Sequence, residues 1–230
     1  MIYDYLRDFL NLVFPDQCVL CNSSLLKLEK EICNTCYIEL PRLENSFLRK
    51  QQLEKIFAGR INLLKLDCFL KYSKTGISQK LITELKYNGN SELAFSLGAW
   101  HATEHHSAEI FSFVDVIIPV PLHEKKMKIR GHNQAERIAS GISKIINKPV
   151  LTDVLERVQN NNTQTRKGRM DRQTNLENVF ILKRADKIKE KKVLLVDDVL
   201  TTGATLESCA NELFKANLNS LSIVTTAYSC

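Results

Sequence analysis

No run of apolar residues in this 230-residue chain is long enough to cross a bilayer. The opening MIYDYLRDFLNLVF does not read as a secretory signal either. Asp4, Arg7 and Asp8 interrupt its apolar part, and a cytoplasmic protein is expected. Internal repeats and low-complexity tracts are missing. Aromatic residues make up only 7%, few for the stacking platforms of a single-strand binder, although Tyr37, Phe47 and Tyr72 are available. Seven cysteines do not suit a disulfide scaffold at this length. No Gly-Lys-Ser/Thr follows the Thr/Gly-rich loop near the C-terminal end, which excludes a Walker-type nucleotide site there.

What is present divides into a small module and a larger domain, since the length allows one ordinary α/β domain with room to spare. A formal charge of +6 favours anionic partners: nucleotides, nucleic acid or phosphorylated sugars. Four cysteines form two Cys-x-x-Cys pairs, Cys18 with Cys21 and Cys33 with Cys36. Two such knuckles can wrap four thiolates around one zinc ion, and the filled tetrahedron marks a structural site. Cys68, Cys209 and Cys230 lack such spacing and read as small buried or terminal residues.

The predicted organisation is an N-terminal helix and four-cysteine module over residues 1–45, a polar connector over 46–65 and an α/β domain over 66–230. Helical periodicity covers Ile2–Val13, Ile77–Leu85, Leu93–His106, Ala135–Ile146 and Thr205–Ala216. Short apolar runs at Cys68–Leu70, Val114–Val120, Val179–Leu182, Val193–Val196 and Leu221–Thr226 predict strands. Strand and helix alternate, so the expected fold is a doubly wound parallel sheet with ligands near the carboxyl ends of its strands.

The most informative stretch is VLLVDDVLTTGAT, Val193–Thr205. A strand buried on both faces ends in Asp197 and Asp198, and Thr201, Thr202, Gly203, Ala204 and Thr205 then lead into a helix. Small side chains let backbone N–H groups close on a phosphate at the helix start. The paired acids are placed to accept two vicinal ribose hydroxyls, or to hold the waters around a magnesium ion that neutralises a diphosphate. An ordinary helix cap would need only one acid. A second strand, loop and helix, Ile117–Ala139, has a cationic loop with Lys125, Lys126, Lys128 and Arg130. The lysines taken singly read as a solvated face, whereas Arg130, Gly131, Asn133 and Gln134 together offer donors for a second phosphate group. Arg157–Phe180 is long and polar, and its composition suits a lid as well as a linker.

At Val193–Thr205 the chain resembles the type I phosphoribosyltransferases. Arg130, Gly131, Asn133 and Gln134 resemble the Arg-Gly-Phe-Asn-Gln element of ComF-type proteins, with His132 where Phe is usual. With the four cysteines in front, the order of elements is similar to the ComF family from end to end. The resemblance implies a type I phosphoribosyltransferase-like doubly wound parallel sheet with a small N-terminal zinc knuckle. It also implies a mobile basic loop, onto which Gln164, Arg166, Lys167, Arg172 and Asn178 map. Within that picture the expected ligand is 5-phosphoribosyl 1-diphosphate with magnesium. Thr201–Thr205 would cradle the 5-phosphate, Asp197 and Asp198 the ribose, the Arg130 loop the diphosphate, and Arg166 or Lys167 would close over the leaving group. The family setting is natural competence or nucleotide metabolism. Two classes of activity stay open: a pentosyl-transferring enzyme, or a non-catalytic single-stranded-DNA accessory that uses the phosphosugar site as a sensor. A helicase-like partner docked on the zinc knuckle is a further expectation.

Overall fold

The computed structural model describes residues 15–43, 53, 55–105, 109–158 and 179–229. The predicted helix over Ile2–Val13, Cys230 and most of the connector's first half lie outside the described residues, as do Gln164, Arg166, Lys167, Arg172 and Asn178.

The chain enters the described structure through the cysteine module, where a short helix, α1 (Asn34–Ile38), starts at the Cys33 cap. Strand β1 (Lys65–Tyr72) follows, then helices α2 (Ile77–Tyr87), α3 (Ser91–Glu104) and the single turn α4 (Glu109–Ser112). After β2 (Val116–Pro119) come α5 (Glu124–Arg130) and α6 (Gln134–Ile146). The remaining elements are β3 (Leu155–Arg157), β4 (Phe180–Leu182), β5 (Lys192–Leu200), α7 (Ala204–Phe214) and β6 (Ser220–Ser229).

Four strands form a sheet in the order β1-β6-β5-β2, with every pairing parallel. The continuous apolar run of β5 has the reason predicted for it. Leu194 and Val196 face a core with Leu97, Ile138 and Ile142 of α3 and α6, while Val193 and Leu195 face a second core with Leu206, Cys209 and Leu213 of α7. Helices on both faces make this a doubly wound parallel sheet.

Two expectations need correction. Phe180–Leu182 does not join the parallel sheet; it pairs antiparallel with Leu155–Arg157 in a separate two-stranded ribbon. A three-residue run carries too little pattern to name its partner. The cationic stretch after β2 is not loop throughout: Glu124–Arg130 is a helix of seven residues with none buried, so it lacks the apolar stripe by which a helix is recognised in sequence. Gly131 ends it at φ 76°, a left-handed conformation that glycine adopts without strain.

Module and domain share one apolar core, in which Cys18, Leu20, Cys36 and Leu40 pack with Leu81 and Leu93. Polar contacts lock the joint. Glu104 accepts Arg42 at 2.6 and 2.9 Å and the Tyr37 hydroxyl at 2.7 Å. Lys80 donates to the Leu20 carbonyl at 3.2 Å, and the Asn90 amide donates to Glu31 at 3.0 Å. Beyond the module, Pro41–Leu43 runs along the outer edge of β1, with Leu43 N–H to Phe69 carbonyl and Lys71 N–H to Pro41 carbonyl both at 2.8 Å.

Candidate functional site

Strand β5 continues past the two acids to Leu200, so Asp197 and Asp198 are strand residues and not a helix cap. They stand in a cavity of about 330 Å³ outside the carboxyl ends of β2 and β5. The cavity also takes in Thr201, Thr205, Arg130, Asn133 and Gln134, and with them Lys86, Lys126 and Arg157. Gly131, Thr202, Gly203 and Ala204 lie in the flanking turns and not on the cavity wall.

The turn after β5 is shaped from below. Gly203 has φ 79°, and a Cβ there would stand 2.7 Å from the ring of Phe57, a fully buried connector residue. Arg60, three residues on, donates to the Thr202 carbonyl at 3.2 Å and pairs with Glu207. The connector is therefore a strap beneath the loop, which its polar composition does not announce. No side-chain oxygen caps α7 among the described residues, so N–H groups of its first turn are available to an anion.

The second wall is built from the ends of α5 and α6. Asn133 caps α6 by accepting the Ala135 N–H at 3.1 Å and donates to the Val120 carbonyl at 3.0 Å, tying the helix to the end of β2. Gln134, 1% exposed, accepts Arg130 at 2.7 Å and so aims the guanidinium. Asn133 and Gln134 thus spend most of their hydrogen-bonding capacity inside the protein, and Arg130 is the group they present.

The sequence alone does not single out Lys86 or Arg157. Lys86 is near the end of α2 and reaches to 3.7 Å from Asp198; Arg157 ends β3. Only the Lys-Tyr-Asn-Gly turn that closes α2 hints at the former in sequence. Burial and the surrounding charges of Arg157, Arg130 and Lys86 push the Lys126 ammonium below the usual lysine range. Burial and the adjacent Asp198 carboxylate raise Asp197 to about 8. The cavity is a place where cations crowd beyond what its own acids neutralise, and an added anion relieves them.

The Asp197 shift has a pH consequence. The folded protein keeps its proton while the unfolded chain loses it near pH 4, so this contribution to stability is full at low pH and lost as pH rises through about 8. Asp197→Asn imitates the protonated acid. Its stability relative to the unaltered protein is expected to rise by about 1–3 kcal/mol between pH 5 and pH 9, read from urea denaturation at both pH values. A difference that does not change with pH would place Asp197 in the ionised form throughout.

In the module, the four cysteine sulfurs lie within 4.8 Å of one another. Cys21 and Cys33 Sγ are 3.7 Å apart, and four sulfurs at Zn–S of about 2.3 Å stand roughly 3.8 Å apart at the corners of a tetrahedron. Hydrogen bonding to Ser23 lowers the Cys21 thiol to about 6, the direction that favours a thiolate ligand. Burial raises the neighbouring Cys36. The donors fit one tetrahedral metal ion.

No helix among the described residues is long and apolar enough to cross a membrane. Residues 132–229 match the phosphoribosyl transferase domain. The chain is 34% identical over 110 residues to Competence protein F of Haemophilus influenzae, a span of 47% of this chain and 48% of that protein. It is 25% identical over 211 residues to Competence protein ComFC of Bacillus subtilis, covering 89% of this chain and 81% of that protein. With the DNA utilization protein YhgH of Escherichia coli O157:H7 it shares 28% identity over 141 residues, 59% of this chain and 60% of that one. The match therefore spans about half the length of the Haemophilus relative and most of the Bacillus one. The parallel sheet, the domain matched at 132–229, the four-cysteine cluster and these relatives agree: residues 132–229 carry a phosphoribosyltransferase-type domain, and the chain is similar to the ComF family of competence proteins.

Proposed function

We propose that the cavity binds 5-phosphoribosyl 1-diphosphate together with magnesium, and that the protein serves DNA uptake or nucleotide metabolism. The observation that carries this reading is one cavity holding Asp197 and Asp198, the start of a helix without a side-chain cap, and the cations Lys86, Lys126, Arg130 and Arg157. The first turn of α7, with Thr201 and Thr205, takes the 5-phosphate. The two carboxylates accept the vicinal ribose hydroxyls, one proton being shed or shared as the sugar enters. The cations face the diphosphate. Arg166 and Lys167 supply further positive charge from the segment outside the described residues.

Magnesium, when bound, neutralises diphosphate charge through oxygen ligands and water. The hard oxygen donors of Asp197 and Asp198 suit it. What the chain itself contributes to transfer is position and charge. The ribose is held by its hydroxyls while Arg130, aimed by Gln134, and Lys86 stabilise the departing diphosphate as positive charge grows on the anomeric carbon. A nitrogen nucleophile would complete the exchange. The names of the relatives, which speak of competence and DNA utilization, support the link to DNA uptake. In the module we propose zinc as the ion held by Cys18, Cys21, Cys33 and Cys36.

Isothermal titration with the diphosphate sugar tests the reading. Binding is expected only with magnesium present, and Asp197→Asn with Asp198→Asn is expected to weaken it about 100-fold or more, the worth of two charge-assisted hydrogen bonds. Unchanged affinity in the double variant, or no binding with magnesium, would sink it. A second reading is a single-stranded-DNA accessory, favoured by the 70% exposed Tyr87, next in sequence to the cavity residue Lys86. It requires oligonucleotide affinity that falls steeply with salt.

A further inference from the structure

Away from the cavity, α3 and β1 bring three donor groups to one point. His101 and His105 are four residues apart, on one face of the last turn of α3, and Asp67 projects from β1 toward them. Both imidazoles meet the same carboxylate oxygen, Asp67 Oδ2: His101 Nε2 at 3.1 Å and His105 Nδ1 at 2.6 Å. The other oxygen, Oδ1, accepts the Cys68 N–H at 2.9 Å, which fixes the carboxylate in plane. The two rings are 5.0 Å apart at 87°, so they approach Oδ2 from different directions instead of stacking.

We infer that Asp67, His101 and His105 form a second metal site, taking a zinc-like divalent cation through one carboxylate oxygen and two imidazole nitrogens and leaving a fourth position to water. The donor set is the mixed nitrogen and oxygen one that zinc accepts in three-ligand sites, in contrast to the all-sulfur cluster of the module. The donor atoms lie within 4.8 Å of one another. Around an ion held at about 2.05 Å, tetrahedral donors stand about 3.3 Å apart, so the present spacings of 3.1 and 2.6 Å open by well under 1 Å.

The surroundings fit a bound ion. Phe69 stacks on His101 at 5.1 Å and Phe111 stands perpendicular to it at 5.6 Å, giving the site an apolar inner wall that holds the ring in place. His101 is buried, whereas the side chains of His105 and Asp67 keep 12% and 18% of their exposure, which leaves a path for the ion and room for the water. A plain hydrogen-bonded cluster is the competing account. It satisfies Asp67 and leaves His101 Nδ1 without a partner among the described residues; a metal on Nε2 leaves that nitrogen equally unpaired, so the ring's tautomer is free in both accounts. The proton can pass from Nε2 to Nδ1 with only the Asp67 bond given up, and that bond is the one the metal replaces.

Metal counting on the full chain tests the proposal. With the cysteine cluster loaded with zinc, added Co²⁺ is expected to bind one further equivalent, with visible bands of nitrogen and oxygen ligation and none of the thiolate charge transfer a cysteine site gives. Asp67→Asn and His105→Ala should each abolish that equivalent and leave the first ion in place. His105 lies at the end of its helix, so its truncation is compatible with folding. If zinc-loaded wild-type protein takes up no further Zn²⁺ or Co²⁺ with this signature, or if both variants retain it, the site is not a metal site. The wild-type result decides even where a variant fails to fold. None of these readouts involves the diphosphate sugar.

Discussion

Gly98→Ala and Gly141→Ala are each expected to cost about 3 kcal/mol or more, seen as a large drop in the urea midpoint. The two glycines sit where α3 and α6 cross. A Cβ on Gly98 would lie 2.1 Å from the Ile138 carbonyl oxygen, and one on Gly141 would lie 2.0 Å from that of Phe95. Both obstacles are backbone, which has no rotamer to escape into, so the helices themselves must move apart. An exposed helical glycine gives the opposite sign, because alanine is better there by about 1 kcal/mol. Stabilisation in either variant would mean that the helices do not touch at these points. Since α6 begins with Gln134, which aims Arg130, a partly folded variant should also lose anion affinity.

The second large effect is at the module. Cys36→Ser, or a strong chelator, is expected to unfold residues 16–43 outright, because the binding energy of a structural zinc ion, about 10–16 kcal/mol, is the folding energy of so small a unit. Hydrogen exchange is the measurement: the module's amides should exchange freely while those of β5 and β6 stay protected. The loss reaches further through Lys80 to Leu20 and Asn90 to Glu31, the bonds that tie the helix carrying Lys86 and the turn after it to the module. Module amides that stay protected after metal removal would contradict the assignment.

Much of this was legible from local pattern. The run Val193–Val196 named a strand covered on both faces, and the cysteine spacing named a four-ligand cluster, because in each case the information lies in neighbouring residues. Where position depends on distant chain, the sequence is silent. Lys86 and Arg157 come to the cavity from α2 and β3, and Asp67 meets His101 and His105 only because α3 packs against β1. Helix α5 reads as loop in the sequence because all its residues are exposed or half-buried. The strap of Phe57 and Arg60 was hidden in a stretch whose average character is polar. The roles given to Arg166 and Lys167 rest on resemblance alone.

The segment Pro41–Leu43 along β1 has a counterpart on the opposite margin, where Val150 bridges Ile117 of β2. Both outer margins of the sheet are thereby shielded in part, at Phe69–Lys71 of β1 and at Ile117 of β2, which shortens the ladder open to a neighbouring molecule. One of the two shields hangs from the cysteine module. Unfolding of the module would then free that part of the β1 edge to pair strand to strand with a second copy of the chain.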